Sequence, residues 1–284
     1  MATLREAIAL AEARLRSCSA TPRLDAEVLL AHVLRRDRAH LRAWPERPLD
    51  RETQQGFDRL VMRRTWGTPI AYLTGEREFW SRTFGVTEDV LIPRPETELL
   101  VELALAAIPD HARCRILELG TGSGAIAITL ALERPRAEIW AVELSGAALA
   151  VARRNAKRLG AECIHWLEGS WFEPLPRSLS FDLILSNPPY VDSADPHLAL
   201  GDVRFEPRLA LVASNQGLSA LRSIAAGARN ALRPHGLLML EHGANQGEKV
   251  REILLATGYA EICNHHDLSG HPRVSTARFA PPAS

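Results

Sequence analysis

Arg115-Ile116-Leu117-Glu118-Leu119-Gly120-Thr121-Gly122-Ser123-Gly124-Ala125 is the stretch on which the architecture of this 284-residue chain turns. Arg115–Leu119 is mostly apolar and short, the pattern of a buried strand. Glycines at 120, 122 and 124 then permit a tight turn and let a ligand approach the backbone. Ala125–Glu133 follows as a helix, whose first turn offers free N–H groups. The spacing is G-x-G-x-G, which differs from the G-x-G-x-x-G of dinucleotide-binding turns. A glycine turn alone also serves ordinary packing. The next strand, Glu138–Val142, sharpens the reading because it ends at Glu143. A carboxylate at the end of the second strand of such a unit is placed to accept both hydroxyls of a ribose.

Beyond this unit the same alternation continues. Strands are expected at Cys163–Leu167, Phe181–Leu185, Leu237–Leu240, Ala260–Cys263 and Val274–Phe279. Helices are expected at Ala147–Leu159, Ser219–Leu232 and Gly247–Thr257. Such alternation implies a mostly parallel sheet with helices on both faces. The last two strands have no helix between them and are expected to form an antiparallel edge.

The fourth strand runs into Ser186-Asn187-Pro188-Pro189-Tyr190. Two prolines fix two φ angles and remove two backbone donors, and the residue before a proline is driven toward extended geometry. Asn187 thus sits on a rigid corner rich in acceptors. Its side-chain carbonyl and nearby backbone carbonyls suit one small donor, an NH2 group, with Tyr190 as an aromatic face beside it.

The first part of the chain reads as helices only. Leu4, Ala7, Ile8, Ala11 and Leu15 recur at helical spacing. Thr21-Pro22 reads as an N-cap followed by proline at the first helical position. A third helix is expected over Asp50–Arg64. Arg35, Arg36, Arg38, Arg63 and Arg64 read as solvated helix faces, with docking to a partner's acidic or RNA surface as the functional alternative. Glu78–Trp80 and Thr83–Val86 look like two short strands. The expected organisation is a helical bundle over residues 1–75, a hairpin linker over 76–95 and an α/β domain over 96–284.

Composition narrows the function. Lys+Arg and Asp+Glu both number 34, so the formal net charge is zero. That argues against affinity derived mainly from neutralising phosphates. Cys18, Cys114, Cys163 and Cys263 form no C-x-x-C pair, so neither a disulfide framework nor a zinc knuckle is expected. His265, His266 and His271 cluster without an evident fourth ligand, and no metal is expected. His242, after the fifth strand, is compatible with facing a cleft or with a structural place. No apolar run reaches the ~20 residues that span a bilayer. The amphipathic N-terminus carries Glu6 and Glu12 and does not look like a signal peptide. A cytoplasmic setting is expected.

The glycine turn, Glu143 and the N-P-P-Y corner together resemble the class I S-adenosylmethionine-dependent methyltransferases, whose amino-methylating members carry N-P-P-Y after the fourth strand. Further motifs appear in fixed order: Glu78-Phe79-Trp80, Leu91-Ile92-Pro93-Arg94-Pro95-Glu96-Thr97-Glu98, Gly201-Asp202-Val203-Arg204-Phe205-Glu206-Pro207, Leu240-Glu241-His242-Gly243 and Arg273-Val274. With them the chain resembles, over nearly its whole length, the bacterial release-factor glutamine methyltransferases, the PrmC/HemK family. The resemblance implies a Rossmann-like methyltransferase domain behind a small helical domain that recognises the partner. It implies S-adenosyl-L-methionine as cofactor and class 1 peptide-chain release factors as substrate, methylated on the glutamine amide of a Gly-Gly-Gln motif. A monomer without direct nucleic-acid binding goes with it. By the same resemblance Gly120, Thr121, Gly122, Ser123 and Gly124 meet the methionine end and ribose, Glu143 the ribose hydroxyls, and Trp171 the adenine. Asn187, Pro188, Pro189 and Tyr190 meet the substrate amide, with Asn187 also near the sulfonium. Many relatives have Asp at the positions of Glu143 and Ser170; the second departure removes an acceptor for the adenine amino group.

Three other readings are weaker. Adenine-N6 methylation of nucleic acid fits poorly with zero net charge and no evident target-recognition insert. A non-catalytic nucleotide-binding protein would not need an intact N-P-P-Y. A dinucleotide oxidoreductase would space its third glycine differently.

Overall fold

The computed structural model describes residues 1–280. The chain forms two compact units: residues 1–76 with 196–205, and residues 77–195 with those from 206 onward.

The first unit is helical. α1 (Leu4–Leu15) starts with a capping box in which Thr3 and Glu6 satisfy each other's backbone N–H. α2 (Pro22–Leu34) begins at the expected proline, but Thr21 does not cap it; the Thr21 hydroxyl donates to Asp25 Oδ1 at 3.3 Å instead. α3 (Arg38–Ala43) was not expected, because six residues are too few to display a period. α4 (Arg51–Thr65) is capped by Asp50, which accepts from Thr53 N at 2.8 Å, and α5 (Ile70–Thr74) closes the unit. Leu4, Leu15, Leu29, Leu30 and Phe57 form its core.

One expectation for this unit is corrected. Arg64 is buried, not solvated: its Nε donates to Asp25 Oδ2 at 2.8 Å and its Nη1 to Asp202 Oδ1 at 2.6 Å. A helix-face pattern cannot reveal this, because Asp202 lies 138 positions away. Arg38 is half-exposed and pairs with the buried Glu27 at 2.8 Å.

The second unit begins with the hairpin of β1 (Glu76–Phe79) and β2 (Arg82–Gly85). Trp80 and Ser81 both adopt positive φ at its turn, the backbone of a tight two-residue hairpin loop. α6 (Glu98–Ala107) follows, an apolar run whose period is blurred, and then the alternating elements β3 (Arg115–Leu119), α7 (Ala125–Glu133), β4 (Glu138–Glu143), α8 (Gly146–Leu159), β5 (His165–Glu168) and β6 (Phe181–Ser186). Two short strands, β7 (Val191–Asp192) and β8 (Val212–Ala213), pair in parallel. The one-turn helices α9 (Arg208–Leu211) and α10 (Ser214–Gly217) flank β8, and α11 (Ser219–Ala231), β9 (Leu232–Glu241), α12 (Gly247–Ala256), β10 (Tyr259–His266) and β11 (Pro272–Phe279) complete the unit.

Seven strands form one sheet in the order β10-β11-β9-β6-β3-β4-β5. β11 runs antiparallel to both of its neighbours, and the other pairings are parallel. The expected antiparallel edge is therefore present, with β9 and β10 longer than the pattern implied. Successive strand residues alternate between two cores. Ile116, Ile139 and Leu183 face α6 and α7; Leu117, Val142 and Ile184 face α11 and α12. The register sets Leu119 opposite both Val142 and Ser186, and Glu143 opposite Glu168. The carboxyl ends of four parallel strands thus share one edge, where open α/β sheets place their ligands. Among the described residues no helix is long and apolar enough to cross a membrane.

Candidate active site

At this edge lies a cleft of about 430 Å³, within the range usual for small-molecule sites. Its floor comes from the loops that leave β3, β4, β5 and β6. Gly120 and Gly122, with φ of 73° and 53°, turn the chain away from β3, a backbone that favours glycine. Glu143 holds this turn: its Oε2 accepts from Gly122 N at 2.8 Å and its Oε1 from Ser145 N at 3.0 Å. Each carboxylate oxygen has a second lone pair, so Glu143 keeps acceptor capacity for a diol. Trp171 closes one end. It holds φ 44°, uncommon for a bulky residue, and its ring lies 3.7 Å from the point where a Gly120 side chain would begin.

Asn187, on the corner after β6, also lines the cleft. Its Nδ2 donates to Thr97 Oγ1 at 3.1 Å, which leaves Oδ1 to serve the cleft. Burial pushes the Tyr190 phenol well above its ordinary pKa, so it stays protonated.

The upper wall is built from the two motifs around Arg94 and Glu206. Glu206 is buried and takes Ile92 N at 3.1 Å on Oε2 and the Arg94 guanidinium on Oε1. This fastening holds Asp89–Leu91 and Pro207, all of which line the cleft. Gln246 braces the same region, donating from Nε2 to Tyr190 O at 3.0 Å and accepting from Gly243 N at 2.9 Å. Gly217 packs against this carbonyl; a Cβ there would fall 2.0 Å from Tyr190 O.

Of the residues expected at the site, Gly120, Gly122, Glu143, Trp171, Asn187 and Pro189 line the cleft. Thr121, Ser123, Gly124, Pro188 and Tyr190 stand behind it. The Thr121 hydroxyl donates to Glu118 at 2.6 Å, Ser123 O accepts from Asn155, and Gly124 caps α7 with φ 82°. Glu118 is buried and also accepts from Ala127 N; burial, opposed by these hydrogen bonds, pushes its pKa up to about 8. His242 is buried, not in the cleft: its ring lies 2.9 Å from Ser275 Oγ and 3.0 Å from Gly243 O, and burial lowers its pKa. Among the described residues no group of three His, Cys, Asp or Glu side chains is disposed to hold a metal. Sequence reasoning gave no role to Thr97, Glu206 or Gln246. Thr97 and Glu206 had the signal of membership in ordered motifs and Gln246 had none, and the partners of all three lie far away in sequence.

The sheet order, with its cleft at the carboxyl edge, defines a methyltransferase of the class I fold. The description "Methyltransferase domain" matches residues 110–271, and "PrmC N-terminal domain" matches residues 6–75. A solved methyltransferase from Pyrococcus furiosus superposes with a TM-score of 0.54 at 18% identity, covering 78% of this chain and 98% of that one. The release factor glutamine methyltransferase of Salmonella typhimurium is 49% identical over 263 residues, 93% of this chain and 94% of that protein. That of Escherichia coli is 48% identical over 276 residues, 97% of each. The chain belongs to the release factor glutamine methyltransferase family.

Proposed function

We propose that this enzyme methylates the side-chain amide nitrogen of the glutamine in the Gly-Gly-Gln motif of class 1 peptide-chain release factors, with S-adenosyl-L-methionine as cofactor. The observation that carries the reading is Asn187: a rigid corner at the cleft with its NH2 tied to Thr97 and its carbonyl oxygen left over. An amide NH2 is what such an acceptor recognises.

The residues present fit the cofactor. Glu143 retains lone pairs for ribose hydroxyls, and Trp171 offers a flat face for a purine. A Cβ at Gly122 would meet nothing within 4 Å, so there the positive φ, more than crowding, favours glycine, and the backbone stays open to a ligand. Ser170 lines the cleft where an acidic side chain would accept from the adenine amino group, so stacking carries more of the recognition here. When bound, S-adenosylmethionine supplies a sulfonium-activated methyl group.

The protein's own part is positioning. An amide nitrogen is a poor nucleophile because its lone pair is delocalised into the carbonyl. Asn187 Oδ1 accepts an N–H bond of the substrate amide and orients the nitrogen, and fixed placement of this kind supplies much of a barrier's reduction. The same oxygen faces the positive charge that develops on nitrogen, and the two prolines that follow preorganise it. No strong base is needed before transfer, because the proton leaves afterwards from a far more acidic nitrogen. The helical unit recognises the protein partner; Trp44 and Trp66 are exposed on it, and exposed aromatics favour interfaces. The reading includes a monomer acting in the cytoplasm on protein, not on nucleic acid.

The test is to incubate the protein with methyl-labelled cofactor and, separately, a release factor, a ribosomal protein and DNA. Label is expected in the release factor, on the glutamine. Asn187→Ala should lose about 10²–10³-fold in turnover while binding cofactor nearly as before. Near-normal turnover of a folded Asn187→Ala would overturn the mechanism.

A further inference from the structure

Gln246, just ahead of α12, is hydrogen-bonded at both ends of its amide. Its Nε2 donates to Tyr190 O at 3.0 Å and to Gln216 O at 3.1 Å, and its Oε1 accepts from Gly243 N at 2.9 Å. Its own backbone N–H returns to Gly243 O at 2.9 Å. Tyr190 O ends the N-P-P-Y corner, and Gln216 O belongs to the turn after β8. We infer that Gln246 is a positioning residue for methyl transfer, a bridge that fixes the N-P-P-Y corner against the cleft wall at β8. The inference rests on the reading of that corner as the acceptor for a substrate amide.

The partners of the Gln246 amide leave it one orientation. A side-chain amide has two N–H donors at one end and an acceptor at the other. The Gly243 N–H can only donate, so it takes Oε1. The two carbonyls can only accept, so NH2 must face them. Turned over, Gln246 would set its oxygen against two carbonyl oxygens and its NH2 against an N–H. Glutamate, of the same length, has neither donor when ionised.

Both carbonyls belong to segments that are weakly held without it. Asn215, Gln216 and Gly217 have φ of 55°, 58° and 78°. Residues other than glycine enter this left-handed region singly, and such a run persists only where its surroundings over-determine it. Here Gln246 holds the Gln216 carbonyl, and Lys249 Nζ donates to Gln216 Oε1 at 2.9 Å. Gly217 must stay bare, because a Cβ there would fall 2.0 Å from Tyr190 O and 2.9 Å from Gln246 Nε2. On the other side β7 follows directly from Tyr190 and pairs with β8, Val191 with Val212 and Asp192 with Ala213. Val212, Ala213 and Ser214 line the cleft, as do Asn187 and Pro189. Corner and wall are thus joined twice, by this ladder and by Gln246. A two-stranded ladder is marginal by itself, so the side-chain bridge sets the spacing that the ladder leaves loose. Without it the corner keeps its prolines but not its place.

The test uses the full chain, a release factor and S-adenosylmethionine, with kcat and KM measured well below the melting temperature and cofactor affinity by calorimetry. Gln246→Met fills the space and removes all three side-chain bonds. It should lower kcat roughly 10–100-fold, the scale of a misplacement of about 1 Å, with KM for the release factor little changed. Cofactor affinity should stay near the parent's, because Glu143 and the glycine turn hold each other by bonds of their own. Gln246→Glu keeps the bond from Gly243 and loses both donors, and its kcat should fall as far. Gly217→Ala drives a methyl group into Tyr190 O and should reproduce the loss with Gln246 intact. Lys249→Met frees only the Gln216 side chain and should turn over near the parent's rate. Parent-like kcat in either Gln246 variant would overturn the inference, and so would a loss confined to KM or an equal loss in Lys249→Met. Should the Gln246 variants not fold, Gly217→Ala decides, and its parent-like turnover counts against the bridge. Asn187→Ala separates the two readings: inactive beside a normal Gln246→Met, it leaves the acceptor and removes the bridge; active, it removes the acceptor itself.

Discussion

Glu118 is a carboxyl group placed where water cannot reach it, 1% exposed beneath the glycine turn. Its two hydrogen bonds do not repay the loss of hydration, and its pKa rises from 4.5 to about 8. Folding therefore favours the protonated acid. The stability this lends is fully present below pH 4.5 and is lost as pH rises through about 8. Glu118→Gln keeps an oxygen for Thr121 and Ala127 without the ionisation. Heat or urea denaturation of the variant should show a shallower decline of stability between about pH 5 and 9 than the parent. Equal slopes would mean that Glu118 stays ionised in the fold. Glu241, whose pKa burial raises to about 7, adds a decline of the same sign, so some slope remains in the variant.

Asn155 on α8 does for the elements what Glu118 does for one turn. Its Oδ1 accepts from Gly85 N at 2.8 Å, and its Nδ2 donates to Gly85 O and Ser123 O, each at 2.9 Å. One side chain joins the hairpin, the glycine turn and a helix. Asn155→Ala leaves buried backbone groups unpaired, at about 1–3 kcal/mol for each, and a melting temperature lowered by several degrees is expected in a calorimetric scan. A change below the scatter of repeat scans would show that water replaces all three bonds. Asn155 also marks where reading the sequence stops. Hydrophobic period locates the long helices and the strands, and with them the strand ends that carry Gly120, Glu143 and Asn187. It is silent on α3, α5, α9 and α10, which are too short to show a period. It is equally silent on Thr97, Glu206 and Asn155, whose partners lie 90, 112 and 70 positions away. Prolines and glycines announce local backbone, and motif order announces kinship, but neither states which distant atom a polar side chain will meet.

Over the whole molecule, two units carry separate hydrophobic cores. The first hangs on Arg64, which ties α4 to Asp25 and to the Asp202 segment that the chain returns from far downstream. Removing one partner of a buried ion pair leaves the others' charge uncompensated, at roughly 3–5 kcal/mol. Arg64→Ala should therefore lower the temperature at which helical circular dichroism is lost. Cofactor affinity measured well below that transition should stay near the parent's, because no cleft-lining residue belongs to this unit. Unaltered melting would return Arg64 to the solvated face that its place in α4 suggested.

Trp171 lies against Gly120 in the cleft wall, and of the chain's six tryptophans it alone lines that cleft. An indole is a chromophore whose emission follows the polarity of its surroundings and is quenched by stacked rings. The chain thus carries its own optical gauge of occupancy. If the proposed cofactor stacks its purine on that face, the light the protein emits will change on binding, and filling and emptying of the site become visible in the unlabelled protein.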